Sequence, residues 1–524
     1  MSDSVEVKLP KTWVITSISE VTEVNPKFDK SSLDDDVEVS FVPMPAVEAA
    51  SGVIDVTTIR KFGDVKKGYT GFLEGDVLFA KITPCMENGK MAVVPALKNN
   101  VGFGSTEFHV LRSYRGVSQK YIYYFVASKR VRYDAEHNMA GAVGQKRVTT
   151  MYLSGREIPV PPTNEQHRIV TKIETLFSEL DKGIESLKTA REQLKVYHQA
   201  LLKHAFEGKL TAQWREQNRD KLETPEQLLA RIKQERQARY QQQLKDWQVA
   251  VKVWEKNGKE GKKPGKPSQH KELPPITEDE IALLPVLPSS WGYARLAEIS
   301  KIGSGMSVSK DRKLSDPVDV AYLRVANVQR GELVLEEIKR MPIEKQALPE
   351  LALEKWDILF NEGGDRDKLG RGWIWEGQVE PCITQNHVFR SSPYFASEFH
   401  SKFISHWGNT FGKDYFEKGG KQTTNLASIN KTVLSMFPVP LPSIEEQEMV
   451  IRALDDSMSL IGSLEAEVES SIAKCETLRQ SILKKAFSGQ LVPQDANDEP
   501  ASALLARIHS ERAGRSPVKT RVKE

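Results

Sequence analysis

Cysteine is scarce in this 524-residue chain. Cys85, Cys382 and Cys475 stand alone, which excludes a disulfide framework and a paired-cysteine zinc site and leaves three reduced thiols. Long hydrophobic runs are missing as well. No stretch approaches the ~18 uninterrupted apolar residues of a membrane span, and Met1–Ser2–Asp3–Ser4–Val5–Glu6 lacks the basic-then-apolar layout of a secretory leader. No membrane association and a cytoplasmic location are therefore expected. Charge of one sign is lacking too: 74 Lys+Arg against 71 Asp+Glu leave a net of +3. That is too little to name a nucleic-acid partner, because such affinity depends on how many phosphates are met locally. Any basic face must be local.

Catalytic signatures are also absent. The Asn/Asp-Pro-Pro-aromatic tetrad and Gly-rich cofactor loop expected of an adenine methyltransferase do not occur, since Asn25–Pro26 and Asp316–Pro317 are not continued that way. No Gly-Lys pair is followed by Ser or Thr, so a phosphate loop is missing. Neither His-Glu-x-x-His nor Gly-x-Ser-x-Gly is found. His109 and His387 recur at one offset (387 − 109 = 278); a catalytic role is conceivable, but a single histidine in an alternating strand is more often structural. The chain is not expected to be an enzyme or to bind a cofactor or metal of its own.

What the sequence does contain, it contains twice. Ile158–Pro159–Val160–Pro161–Pro162, Glu165–Gln166 and Ala205–Phe206–Glu207–Gly208–Lys209–Leu210 return as Phe437–Pro438–Val439–Pro440, Glu446–Gln447 and Ala486–Phe487–Ser488–Gly489–Gln490–Leu491. The offset stays at 281 (446 − 165, 486 − 205, 491 − 210), so the segments between entrance and exit have one length. Each half also opens alike, with Leu9–Pro10–Lys11–Thr12–Trp13 and Leu287–Pro288–Ser289–Ser290–Trp291. From Ile173 to Leu201, and again from Val450 to Ile482, apolar residues recur at steps of three and four or their sums. A helix of ~40 residues rises ~60 Å and needs a partner helix, for which the other copy is the obvious candidate. Gly208 and Gly489 stand where left-handed caps would end the two helices.

The heads ahead of these helices read mainly as strands: Val37 to Val42, Asp76 to Ala80 and Phe108 to Leu111, then Ala321 to Val325, Asp357 to Phe360 and His387 to Phe389. Gln119 to Lys129 and Ser397 to Gly408 are predicted to be one helix per head. The predicted organisation is a head over residues 1–160, a helical region with extension over 161–256, a basic Gly/Pro/Lys linker over 257–285, a second head over 286–438, a second helical region over 439–512 and a basic tail over 513–524. The second helix of the first half starts at Thr224–Pro225 and runs on through Tyr240, Leu244, Trp247, Val251 and Trp254 without a second copy. Linker and tail are expected to lack fixed structure.

This order of head, long helix ending in Ala-Phe-x-Gly-x-Leu, head and like helix resembles the specificity subunit of Type I restriction–modification systems. The resemblance implies an α+β fold in which two α/β target-recognition domains are separated by two long helices that form an antiparallel coiled coil, with a pseudo-twofold internal repeat. It further implies that each head reads one half of an asymmetric bipartite target in double-stranded DNA, while the helices set the spacer and dock two modification subunits. S-adenosylmethionine, ATP and Mg would belong to those modification subunits and to restriction subunits with translocase and nuclease activity. The alternatives are a coiled-coil interaction scaffold without DNA specificity and, less favoured, an autonomous enzyme.

Direct reading of bases favours Arg or Lys for guanine and Asn or Gln for adenine. In the first head Lys81, Thr83, Asn88 and Lys90 fall in one loop, and Gln145, Lys146 and Arg147 in another. In the second, Arg366, Lys368 and Arg371 share a loop, and Lys421, Gln422, Thr423, Thr424 and Asn425 lie in the one that follows Gly419. Arg324, Asn327 and Arg330 are further candidates. The loop just ahead of each entrance motif is the first choice, because a polar, cationic, Gly-containing composition recurs there while the identities change. The same composition also suits ordinary solvated turns.

Overall fold

The apolar runs that follow Asp76 and Asp357 form a central strand in each head, Val77–Ala80 and Ile358–Asn361. Both acids turn inward at 1–2% exposure, where each carboxylate accepts a backbone N–H three residues back, Leu73 or Glu354, at 2.8 Å. The structure, a computed structural model, describes residues 9–31, 33–142, 144–260, 263–308, 313–364, 368–419, 421–422 and 427–514. By their contacts these fall into two units, residues 1–190 with 467–524 and residues 191–466. Each unit therefore combines one head with the start of one long helix and the end of the other.

In the first head a four-stranded antiparallel sheet orders Thr22–Val24, Phe108–Ser113, Val77–Ala80 and Met91–Val93. A second sheet pairs Glu38–Val42 in parallel with Val101–Gly104. The second head repeats this arrangement with other residues: Ser300–Ser304, Val388–Pro393, Ile358–Asn361 and Gly372–Ile374 form the antiparallel sheet, and Pro317–Leu323 runs parallel to Cys382–Thr384. The heads differ where the sequence predicts one helix in each. Gln119–Ala127 and Lys129–His137 are two helices broken at Ser128, whose hydroxyl caps the second by accepting Val131 N–H (3.5 Å). Glu398–Gly419 is one unbroken helix.

The repeated motifs meet at one junction per unit. In the first, strand Val14–Ser17 pairs with the entrance strand Glu157–Val160, and Trp13 Nε1–H donates to Glu165 Oε2 (3.0 Å). Gln166 Oε1 accepts Ser118 N–H (2.8 Å) while its amide donates to Pro161 O (3.0 Å). The end of the second long helix closes this junction. Gly489, at φ +74°, lies against Pro10 and Trp13, Gln494 donates to Glu165 Oε1, and Phe487 packs edge-on against Tyr121 and Phe125 (centroids 5.3 Å).

The other unit repeats the junction with partly different bonds. Trp291 Nε1–H donates to Glu446 Oε2 (2.8 Å), and Thr211 Oγ1 and Arg215 Nε each reach Glu446 Oε1 (2.7 Å). Gln447 Oε1 accepts from His400 Nδ1–H (2.6 Å), and its amide donates to Pro442 O (2.9 Å). Gly208, at φ +67°, lies against Pro288, and Phe206 packs against Phe403 and Trp407 (5.2 and 5.5 Å). The Glu-Gln entrance, the Leu-Pro-x-x-Trp opening and the Gly exit are thus parts of one joint, which explains why they recur together.

The long helices span Thr163–Phe206 and Ile444–Ala486. In the first unit the start of the first helix lies along the end of the second: Asp181 pairs with Arg479, whose guanidinium lies 4.8 Å from the Phe177 ring, and nearer the first helix's start Arg168 pairs with Asp498, in the chain beyond the second helix (2.5 Å). Not every predicted stripe residue is covered. Tyr197, Leu464 and Leu478 are 40–55% exposed, because a seam against a single partner helix is narrower than the apolar stripe. The extended helix Pro225–Lys256 begins with the expected cap, Thr224 accepting Gln227 N–H (3.3 Å).

Part of the linker departs from expectation. Trp247 Nε1–H donates to Pro264 O (3.0 Å), and Lys266 and Lys263 lie 6.0 and 5.9 Å from the Trp247 and Trp254 rings. Arg295, 2% exposed, binds Glu280 (2.7 Å) and the carbonyl oxygens of Pro274 and Pro275. The segment therefore has fixed contacts and one short helix, Glu278–Ile281, capped by Thr277; its apolar anchors are aromatic residues of the preceding helix, which composition alone does not reveal. Of the predicted tail, residues 515–524 lie outside the described residues.

Candidate nucleic-acid interface

At the end of Val77–Ala80 the chain enters the loop of Lys81 to Lys90, and two pairings stitch that loop to the one ahead of the entrance strand. Thr83 N–H donates to Lys146 O (3.1 Å) and Val148 N–H to Lys81 O (2.8 Å). Ala140 and Arg147 exchange both backbone bonds (2.9 and 2.8 Å), closing a hairpin whose tip holds Gly141 and Gly144 at positive φ. Gln145 and Lys146 are exposed on that tip. The two first-head loops chosen from sequence thus form one surface.

Beneath the tip the polar groups are paired. Arg147 Nε and Nη2 grip Glu107 (2.9 and 2.8 Å), and Nη1 donates to Gln145 O (3.1 Å). Arg147 in turn holds the Glu107 carboxyl below the usual carboxylate range. His109 is 3% exposed, and burial pushes its pKa down, favouring the neutral ring. Its Nε2 faces Val148 O (2.8 Å), which only accepts, so Nε2 carries the proton and Nδ1 accepts from the Asn25 amide (3.0 Å). This histidine is a strut between strand and loop.

The second head brings the corresponding loops together. Glu362 O accepts Ile429 N–H (2.8 Å), Gly363–Gly364 pairs with Ala427–Ser428, and that strand pairs with Lys421–Gln422. His387 is exposed here and bonds Glu362 Oε2 through Nδ1 (2.7 Å). Asn361, 0% exposed, donates to Val328 O (2.9 Å). In both heads, then, the loop after the central strand and the loop ahead of the entrance strand meet.

The sequence matches the family described as Type I restriction modification DNA specificity domain twice, over residues 10–189 and 288–472. The chain belongs to this family. It is similar to the Type I restriction enzyme EcoEI specificity subunit of Escherichia coli, 29% identical over 489 residues that make up 90% of this chain and 81% of that protein. The EcoKI specificity subunit of Escherichia coli strain K12 is 22% identical, with 97% of each chain covered. Among solved structures, the HsdS subunit from Thermoanaerobacter tengcongensis superposes with a TM-score of 0.56 at 17% identity, covering 94% of this chain and 100% of that one. Another, titled for complex assembly and conformational transition of the type I R-M system, gives 0.59 at 19% identity, over 92% and 100%. These two likenesses bear on the fold.

Within the specificity domains the other candidate residues divide by what holds them. Asn88 is exposed and Lys81 half-buried. Lys90 is turned inward, its ammonium donating to Val47 O and Met44 O (2.8 and 3.3 Å), and Thr83 Oγ1 meets Met139 Sδ (3.6 Å). Asn327, 2% exposed, donates to Val334 O and Glu337 O (2.9 and 3.1 Å), and Arg324 donates to Glu337 O (3.0 Å). Lys90, Asn327 and Arg324 thus hold their own loops, since a ladder of carbonyl oxygens needs donors. Arg330 is exposed and donates to Asn409 O; Lys368 and Arg371 are half-buried. Arg366, Thr423, Thr424 and Asn425, with the side chains of Lys421 and Gln422, lie outside the described residues. Sequence reasoning missed Glu107, Asn361 and Glu362, which frame the loops. The available signal for the two acids was a carboxylate at the end of an apolar strand, next to a cationic loop.

Proposed function

We propose that this chain is the DNA-recognition and assembly subunit of a Type I restriction–modification complex. Each head reads one half of an asymmetric bipartite target in double-stranded DNA through its pair of joined loops. The observation that carries this reading is the loop pair itself: it occupies one place in both heads while its residues differ, as two readers of unlike half-sites require. The long helices set the spacing of the half-sites and, with the joints at their ends, dock two modification subunits. Those subunits carry S-adenosylmethionine and the adenine methylation chemistry, and restriction subunits carry the ATP- and Mg-dependent translocase and nuclease. This chain contributes no catalytic group and binds no cofactor, and it works in the cytoplasm.

The test is the position of methylated adenines in the DNA of a host expressing the complex. A single asymmetric bipartite motif is expected; methylation without one refutes the reading. Replacing residues 14–155 by another head, with Pro10 and Trp13 retained for the joint, should change one half-site only.

A further inference from the structure

Arg147 looks like a base reader by residue type, but the geometry gives it other work. The bidentate Nε/Nη2 edge that would grip a guanine is taken by Glu107, at 2.9 and 2.8 Å. Nη1, which the other edge would need, points at Gln145 O (3.1 Å). One guanidinium therefore ties the turn that carries Glu107, just ahead of strand Phe108–Ser113, to the carbonyl of a tip residue. Around this tie, Lys81 O and His109 Nε2 fix the next residue, Val148, by its N–H and its carbonyl. A carboxylate near bound DNA is electrostatically adverse, so Glu107 at this place needs a compensating role, and holding Arg147 supplies one.

Building on the proposed DNA-reading function, we propose that Arg147 is a positioning residue, locked by Glu107, that presents Gln145 and Lys146 to the bases of the first half-site. Ordering the tip before binding removes part of the entropy that a flexible loop would lose on contact. Gln145 suits adenine and Lys146 guanine.

The test uses the full chain and the duplex it selects from a random-sequence library. If the wild-type chain selects no sequence, the proposed function fails and this inference falls with it. With a target in hand, affinity is measured for Glu107→Gln, Arg147→Lys, Arg147→Ala and the Glu107→Gln/Arg147→Ala double variant, at several salt concentrations and against random duplex. Each single variant should lose roughly tenfold in target affinity, with no further loss in the double variant, because one tie is broken each time. Random-duplex affinity should hold, and so should the slope of log affinity against log salt. The inference is overturned if Glu107→Gln strengthens target binding, if Arg147→Lys binds as wild type, or if Arg147→Ala lowers the salt slope by about one. Those are the marks of a direct phosphate contact, which a lysine preserves and a lost tie does not. Melting temperatures equal to wild type in Glu107→Gln and Arg147→Lys keep misfolding out of the comparison; if both variants show wild-type affinity at wild-type stability, the tie is irrelevant.

Discussion

Gly489→Ala probes the joint that the repeated motifs build. Gly489 holds φ at +74°, a left-handed conformation that costs an L residue about 1–2 kcal/mol. A Cβ there would stand 2.5 Å from Pro10 Cδ, against about 3.5–4.0 Å for carbons in contact. The obstacle is a ring that cannot swing aside, since the Pro10 carbonyl is bonded to Trp13 N–H (3.0 Å) and Trp13 to Glu165 (3.0 Å). Overpacking of this kind costs about 1–3 kcal/mol, while the smaller freedom of the unfolded alanine chain returns about 0.4–1 kcal/mol. The expected net loss is about 2–4 kcal/mol.

Urea unfolding followed by circular dichroism measures the loss, and hydrogen exchange of residues 9–17 and 483–494 places it. Gly183→Ala is the control. Gly183 lies inside the first long helix with nothing within 4 Å of a built Cβ, so alanine should stabilise there by about 0.5–1 kcal/mol. Adding Pro10→Ala to Gly489→Ala should recover the overpacking share and leave the backbone cost of about 1–2 kcal/mol. A Gly489→Ala chain as stable as wild type, or one that Pro10→Ala does not relieve, would refute the argument.

Four further outcomes follow from the contacts of other buried and anchoring residues. Glu446→Ala leaves the Trp291 and Thr211 donors and the Arg215 cation facing a void at a site 1% exposed, so it should cost about 3–5 kcal/mol in urea unfolding; a loss under about 1 kcal/mol contradicts the buried joint. Asp357 is pushed up to about 6 by burial, above its unfolded value of about 3.9, so its favourable share is complete below that value and is lost as pH rises through about 6. That share is about 3 kcal/mol, and Asp357→Asn should flatten the stability difference between pH 4 and 7. Glu280 has the opposite sign: Arg295 holds it down to about 2, so its contribution is present above about 4.5 and is lost only as pH falls through about 2. Finally, Trp247→Ala should speed tryptic cleavage after Lys259 and Lys271, on either side of the Lys263–Pro264 and Lys266–Pro267 bonds that trypsin does not cut, read by mass spectrometry; unchanged cleavage would show that the aromatic anchor does not hold the segment.

Strands, long helices and the repeat could be read from the sequence because each is a local pattern: alternation around Asp76–Ala80, steps of three and four from Ile173, and a constant offset. That the opening and exit motifs meet in one joint could not. Pro10 and Gly489 are 479 residues apart (489 − 10), and nothing local in either says that a missing Cβ on one makes room for the ring of the other. The helix break at Ser128 is likewise a choice between continuing and capping, and Ser128 caps. Among the candidate readers, composition located the loops. It did not separate exposed Lys146 from Lys90, whose ammonium is spent on Val47 and Met44 carbonyl oxygens. That distinction depends on which carbonyl oxygens the fold leaves short of donors, a property of the assembled head.

Within each head the joint and the candidate loops occupy opposite ends of the same strands. Strand Phe108–Ser113 pairs with Ala80 at its Phe108 end, beside the loop that starts at Lys81, and with Thr22 at its Ser113 end, beside the strand that meets the entrance. In the second head Val388 pairs with Asn361 next to the loops, and Pro393 pairs with Ser300 at the far end. This polarity separates two demands on the sequence. At one end each entrance must accept the helix end that comes from the other half, so Trp, Glu, Pro and Gly are required in both copies by bonds and by the space a Cβ would fill. At the other end the chain holds the first head's tip by the backbone carbonyl oxygens of Gln145 and Lys146, which accept from Arg147 Nη1 and Thr83 N–H, so the side chain of Gln145 or Lys146 can change without touching Trp13, Glu165 or Gly489. A chain built this way can alter what one head meets while the joints that hold both heads stay as they are.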